Sequence, residues 1–130
     1  MNAVQFEKCR AELNAACEQL LLTKGADYTS NKDRMSNFKE VAAFIGVSPM
    51  QVWAVYMLKH LFAVMSYIRK GQTASEPVET RFQDLRNYID LGYGLDQEEK
   101  REIAPLVDAV ERGLEARRQH ERETGYAKLG

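Results

Sequence analysis

Apolar residues recur along this chain at spacings of three and four, the signature of helices with one buried face. Val4, Phe6, Cys9, Leu13, Ala16, Cys17, Leu20 and Leu21 make such a stripe, predicting a first helix from about Ala3 to Lys24, ended by Gly25. The stretch that follows, "GADYTSNKDRMSN", has no apolar period and reads as a long polar connection. Asn37, with Glu40 three residues on, predicts a capping box for a short helix over "FKEVAAFI", which Gly46 closes. Ser48, Pro49 and Gln51 then supply an N-cap, a first-turn proline and a reciprocal partner for a third helix running to about Lys70. A fourth helix is expected from about Ser75 to Leu91, with Pro77 tolerated in its first turn. Asp96 and Glu99 predict the cap of a fifth, which Pro105 should kink or split. The fold class is therefore all-α, a bundle of about five helices. Residues 1–120 read as one domain, and 121–130 as a fraying tail.

The third helix is the central one. Trp53, Val55, Met57, Leu58, Leu61, Phe62, Val64, Met65 and Ile68 leave it almost no polar side. A helix apolar all round is either enclosed by its own chain or faces a second subunit, so a homo-oligomer is expected. On the fourth helix, Val78, Phe82, Leu85 and Ile89 predict the core stripe. Glu79, Gln83, Arg86 and Asp90 point the other way, and Glu76, Thr80, Asp84, Asn87 and Leu91 form a polar shoulder with Tyr88 beside it.

Composition narrows the partners. With 18 basic against 19 acidic residues and a formal net charge of −1, the chain lacks the basic field of a non-specific nucleic-acid binder. Cys9 and Cys17 have no zinc-type spacing and read as free thiols. With no signal-like segment and no apolar run of membrane length, they suggest a cytoplasmic protein that does not engage a membrane.

Candidate chemistry gathers at the polar shoulder, since bundles build ligand and metal sites between facing helices. Lys59 sits among Val52, Val55, Tyr56, Phe62 and Ala63, so its ammonium must reach solvent or a carboxylate. Asp84 and Glu76 are the expected partners. Such a pair can be purely structural, setting helix register, or part of a site that grips phosphate or carboxylate. The loop contributes Lys24, Lys32 and Arg34 as phosphate contacts and Tyr28 as a stacking surface. His60, on an aromatic side with Trp53, Tyr56 and Tyr67, reads as a packing residue and not as part of the site. No GxxxxGK loop, HExxH or paired-Cys motif is present.

The segments "KGADYTSN…NF", Lys59 and "SEPVETRFQDLRNY" together resemble the nucleotide-modification-associated domains of phages and bacteria. That family in turn resembles the all-α nucleoside triphosphate pyrophosphohydrolases of the MazG and dimeric dUTPase kind. The similarity spans about residues 20–93. It implies an oligomeric helical protein acting on a nucleotide in the cytoplasm, the host's if the chain is phage-encoded. Carried across by position, Glu76 and Asp84 would hold magnesium, Lys59 would face phosphate, and Lys24, Asp27, Tyr28, Asn87 and Tyr88 would line the rest of the pocket. Two departures separate the chain from the hydrolases. "YMLKHLF" stands where they carry a first acid pair, and Asn87 replaces the last acid of the second. Fewer anionic ligands and an added lysine suit direct anion binding. Two functions therefore stand side by side, with a structural helical protein that holds no small ligand as a third reading. One is a magnesium-dependent hydrolase cutting between the α and β phosphates. The other is a non-catalytic oligomer that sequesters a nucleotide or nucleotide-derived signal, as an anti-defence sponge would.

Overall fold

A computed structural model describes residues 1–28 and 33–125, with Tyr28 described in its backbone only. The protein is all-α: α1 (Ala3–Tyr28), α2 (Ser36–Ile45), α3 (Pro49–Lys70) and α4 (Val78–Thr124). It divides into two compact units, Met1–Leu95 and Asp96–Gly130.

Local chemistry explains most of the boundaries. Asn2 and Gln5 cap α1 reciprocally, Asn2 Oδ1 accepting from the Gln5 amide at 2.9 Å and Gln5 Oε1 from the Asn2 amide at 2.8 Å. The predicted box at α3 forms: Ser48 Oγ accepts from the Gln51 amide at 3.2 Å, and Gln51 Oε1 from the Ser48 amide at 2.9 Å. Gly46 and Gly71 close α2 and α3 with φ of 75° and 72°, a left-handed turn that costs an L side chain but not glycine.

Four expectations are corrected. Helix α1 does not stop at Gly25 but runs through it to Tyr28. Gly25 is there for space: Arg34 Nη1 lies 1.8 Å from where a Cβ would be, and Arg34 Nη2 donates to the Leu21 carbonyl at 2.9 Å. At α2, Met35 is the N-cap and Asn37 makes no capping bond. Asp33 does the work instead, accepting from the Met35 amide at 2.8 Å and pairing with Lys39 at 3.0 Å. Those two contacts hold the Asp33 carboxyl below its ordinary range. A fifth helix does not begin at Asp96, because α4 continues through Gly92, Gly94 and Pro105. Asp96 is spent on an i,i+4 pair with Lys100 at 2.6 Å. Finally, the core stripe of α4 is rotated from the expected one. Asp84, Asn87, Gly92 and Leu95 are buried, whereas Phe82 and Ile89 are exposed.

Trp53 packs against the rotated helix. Its indole N–H donates to the Tyr88 carbonyl, and its ring lies 2.4 Å from where a Cβ on Gly92 would stand. Only a bare backbone lets the ring approach so closely. Around this contact, Phe38, Ala42 and Val52 form the core cluster, with Met35, Val41, Tyr88 and Leu91 packed against it. The second unit comprises the rest of α4, where every residue from 100 to 120 is exposed. No single helix among the described residues is long and apolar enough to cross a membrane.

Gly92→Ala tests this packing. Alanine is the better helix former by about 1 kcal/mol, yet its methyl would overlap the indole and force a shift costing roughly 1–3 kcal/mol. Urea denaturation should show net destabilisation. A variant as stable as the parent would mean that Trp53 does not rest on α4.

Candidate functional site

The polar residues of α4 face inward because a side chain from each of two other helices meets them there. Asp84 is 4% exposed. Its Oδ1 accepts from Lys24 Nζ of α1 at 3.0 Å, and its Oδ2 lies 3.2 Å from Nδ1 of His60 in α3. The second contact is close but is not aligned as a hydrogen bond, so Nδ1 is a buried atom without one. The His60 ring stacks on Tyr88 with centroids 5.1 Å apart, and Tyr88 stacks on Tyr56 at 6.4 Å. Phe38 closes the aromatic wall edge-on to Tyr88 at 6.4 Å.

These groups line a cavity of about 450 Å³. Lys24, Arg34 and Lys59 bring three positive charges to it against the single carboxylate of Asp84, and Asn37 and Asn87 add amides. Burial holds the His60 imidazole below its ordinary range; Asp84 works against this, while Lys59, Arg81 and Lys24 reinforce it. His60 is therefore neutral at neutral pH. The Cys17 thiol, which contacts the Gln83 carbonyl at 3.7 Å on the neighbouring stretch of α4, is pushed up chiefly by burial.

Of the residues expected in the site, Lys24, Lys59, Asp84, Asn87 and Tyr88 all line this cavity. Arg34 lines it too. Asp27 is exposed and is not among the lining residues. The Tyr28 side chain and Lys32 lie outside the described residues. The expected Lys59–Asp84 pair is replaced by Lys24–Asp84, because α1 passes α4 closely enough for its own lysine to arrive.

Glu76 is elsewhere. It pairs with Arg81 at 3.1 Å and does not line the cavity. Among the described residues no cluster of three or more His, Cys, Asp or Glu could hold a metal ion. Both Asp84 oxygens already face nitrogen groups, and no second carboxylate stands beside it, a donor set that does not fit magnesium.

His60 and Asn37 are the residues that pattern reasoning missed. His60 was recognisable in principle: it follows Lys59 on α3, and an antiparallel α4 would set Asp84 opposite it. Asn37 carries a capping residue's identity at a capping residue's position, and only the fold shows it turned to the cavity, with its Oδ1 unpartnered.

Asp84→Asn should separate these forces. It keeps the shape but leaves Lys24 without its counter-charge and removes the carboxylate that favours the charged form of His60. The expected loss is about 1–3 kcal/mol, less than for a fully buried pair because Lys24 is half exposed. Because the folded state resists protonating His60, the unfolded chain binds that proton first below its ordinary value of 6.5. Stability is then complete above 6.5 and declines as pH falls through that value towards the folded one. Urea midpoints at about pH 7.5 and about pH 5.5 should show this decline, steeper in Asp84→Asn and flatter in His60→Gln. An identical pH response in all three proteins would remove His60 from the account.

No protein-family model, curated protein or solved structure matches the chain, so a functional reading has this geometry and its charges to stand on.

Proposed function

We propose that the cavity between α1, α2, α3 and α4 binds a nucleotide-class anion. The observation that carries this reading is the lining itself: three cations to one carboxylate, opposite a wall of Phe38, Tyr56 and Tyr88. An excess of fixed positive charge suits phosphate, and stacked aromatic rings suit a base. A volume of about 450 Å³ lies within the range of small-molecule sites. Lys24 and Lys59 offer ammonium groups, and Arg34 an anchored guanidinium that keeps its charge while one nitrogen is held by Leu21. The resemblance of the loop and α4 segments to nucleotide-modification-associated domains supports the same ligand class. Sequestration of a nucleotide or nucleotide-derived signal in the cytoplasm, in the manner of a phage anti-defence protein, is the form of this function that the lining favours over a magnesium-dependent pyrophosphohydrolase.

One observation keeps hydrolysis as a second reading. His60 lines the cavity with its Nδ1 edge turned to Asp84, 3.2 Å from Oδ2. A neutral imidazole within reach of a bound ligand can act as a general base. It would take a proton from water as the water oxygen bonds to phosphorus and the anhydride P–O bond breaks.

A panel of nucleoside mono-, di- and triphosphates incubated with the protein, with and without magnesium, tests both readings. Chromatography before and after heating the protein should show one nucleotide depleted and then restored intact. Isothermal titration of that nucleotide should weaken at least 10-fold in each of Lys24→Ala, Arg34→Ala and Lys59→Ala, and should weaken with salt. New monophosphate and pyrophosphate, lost in His60→Gln while binding persists, would select the hydrolytic reading. A panel left untouched would overturn both.

A further inference from the structure

We propose that the outward face of α3 is a self-association surface, on which the α3 of a second copy packs antiparallel about a two-fold axis between Leu61 and Phe62. The face is made by Val55, Leu58, Leu61, Phe62, Met65 and Ile68, which are between 37% and 73% exposed. At helical spacing they cover one continuous side over four turns, bounded by Gln51 at one end and Arg69 at the other. His60 lies on the other side, lining the cavity, while Lys59, which also lines it, is exposed and stands at the edge of the face, one turn from both Val55 and Phe62. Within that border the face itself is apolar.

Its extent suits a stable pair. The exposed fractions add up to about three complete large side chains, on the order of 500 Å² per copy and 1,000 Å² for two. That meets the roughly 1,000 Å² a specific interface needs before flanking residues are counted, and the patch on each copy lies towards the upper end of what a monomer leaves bare in one place.

The spacing selects a second copy as the occupant. An isologous contact requires the surface to map onto itself when inverted. About the midpoint of Leu61 and Phe62 it does: Val55 falls opposite Ile68, Leu58 opposite Met65, and Leu61 opposite Phe62. Each pairing sets two apolar side chains together, and the flanking Arg69 meets Ala54, so no like charges face one another. A parallel pair would instead stack each residue on its own counterpart.

That difference gives the test. Light scattering on the eluting full-length chain should report twice 14.9 kDa at micromolar concentration. Leu58→Lys and Met65→Glu, each alone, should elute as folded monomers with undiminished helical circular dichroism, the dissociation constant rising at least 100-fold. Combining the two substitutions in one chain, or mixing the two single variants, should restore the dimer, because an introduced lysine then faces an introduced glutamate across the axis. A parallel arrangement would oppose like charges in the double variant and would not be rescued. A monomeric parent, single variants that still dimerise, or a double variant that stays monomeric would each overturn the proposal. If a single variant lost its helicity, Phe62→Gln would replace it, and a parent-like mass for that variant would count equally against the proposal.

Discussion

A single buried carboxylate organises the first unit. Asp84 is buried, Lys24 reaches it from α1, and His60 faces it from α3. One group on α4 is thereby tied to two other helices, and these ties fix which side of α4 turns inward. Once Asp84 is inside, Asn87 and Tyr88, one turn on, follow it onto the same face, and the apolar Phe82 and Ile89 are left outside. A helix oriented by hydrophobicity alone would turn the other way. The Lys24 contact is the more adaptable of the two, since its stem is half exposed and its ammonium can be drawn to another anion. The His60 contact is enclosed, and its ring is held by stacking on Tyr88.

The helices are brought together by the same device at two places. Gly25 leaves the backbone of α1 bare where the Arg34 guanidinium lies across it and donates to the Leu21 carbonyl. Gly92 leaves α4 bare where the Trp53 ring lies, and the indole donates to the Tyr88 carbonyl. In each case the carbonyl belongs to the residue four before the glycine, so its first partner is the glycine's own amide. A side chain from elsewhere supplies a second donor to the same oxygen. A carbonyl has two lone pairs, so the helical bond need not be given up. Both glycines would pass for helix breakers by type, yet neither ends a helix. Each admits a neighbour that a methyl would keep out.

This explains which parts of the molecule could be read from its residues and which could not. Local signals acted as written wherever nothing competed with them, as at Ser48, Pro49 and Gln51 or at the left-handed Gly46 and Gly71. They failed where tertiary contacts claimed the same residues. Asn37 serves the cavity, Asp96 pairs along its own helix, and Gly25 and Gly92 make room. The site was legible in its parts, since Lys24, Lys59, Asp84, Asn87 and Tyr88 do share one cavity. The pairing within it was not, because periodicity ranks faces by hydrophobicity, and here the face with the acid is the buried one. His60 looked like packing for the same reason: a stacked ring beside Tyr88 and a partner of a carboxylate are one position serving both roles.

The polar interior also bears on what the outside must do. Beside the buried hydrophobic residues Cys17, Phe38, Ala42, Val52, Val64 and Leu95, the first unit encloses His60, Asp84 and Asn87. Space given to those three is closed to leucine or phenylalanine, and polar groups inside contribute less net stability than apolar ones of the same volume. The apolar side chains of α3 that might have enlarged the core stand instead on its outer face. The cavity and the bare face follow from one allocation: a chain this short that gives its centre to a charged site has to complete its hydrophobic burial somewhere else. For α3, whose inner side lines the cavity and whose outer side is uncharged over four turns, a second α3 supplies that burial without a charge being moved from the site.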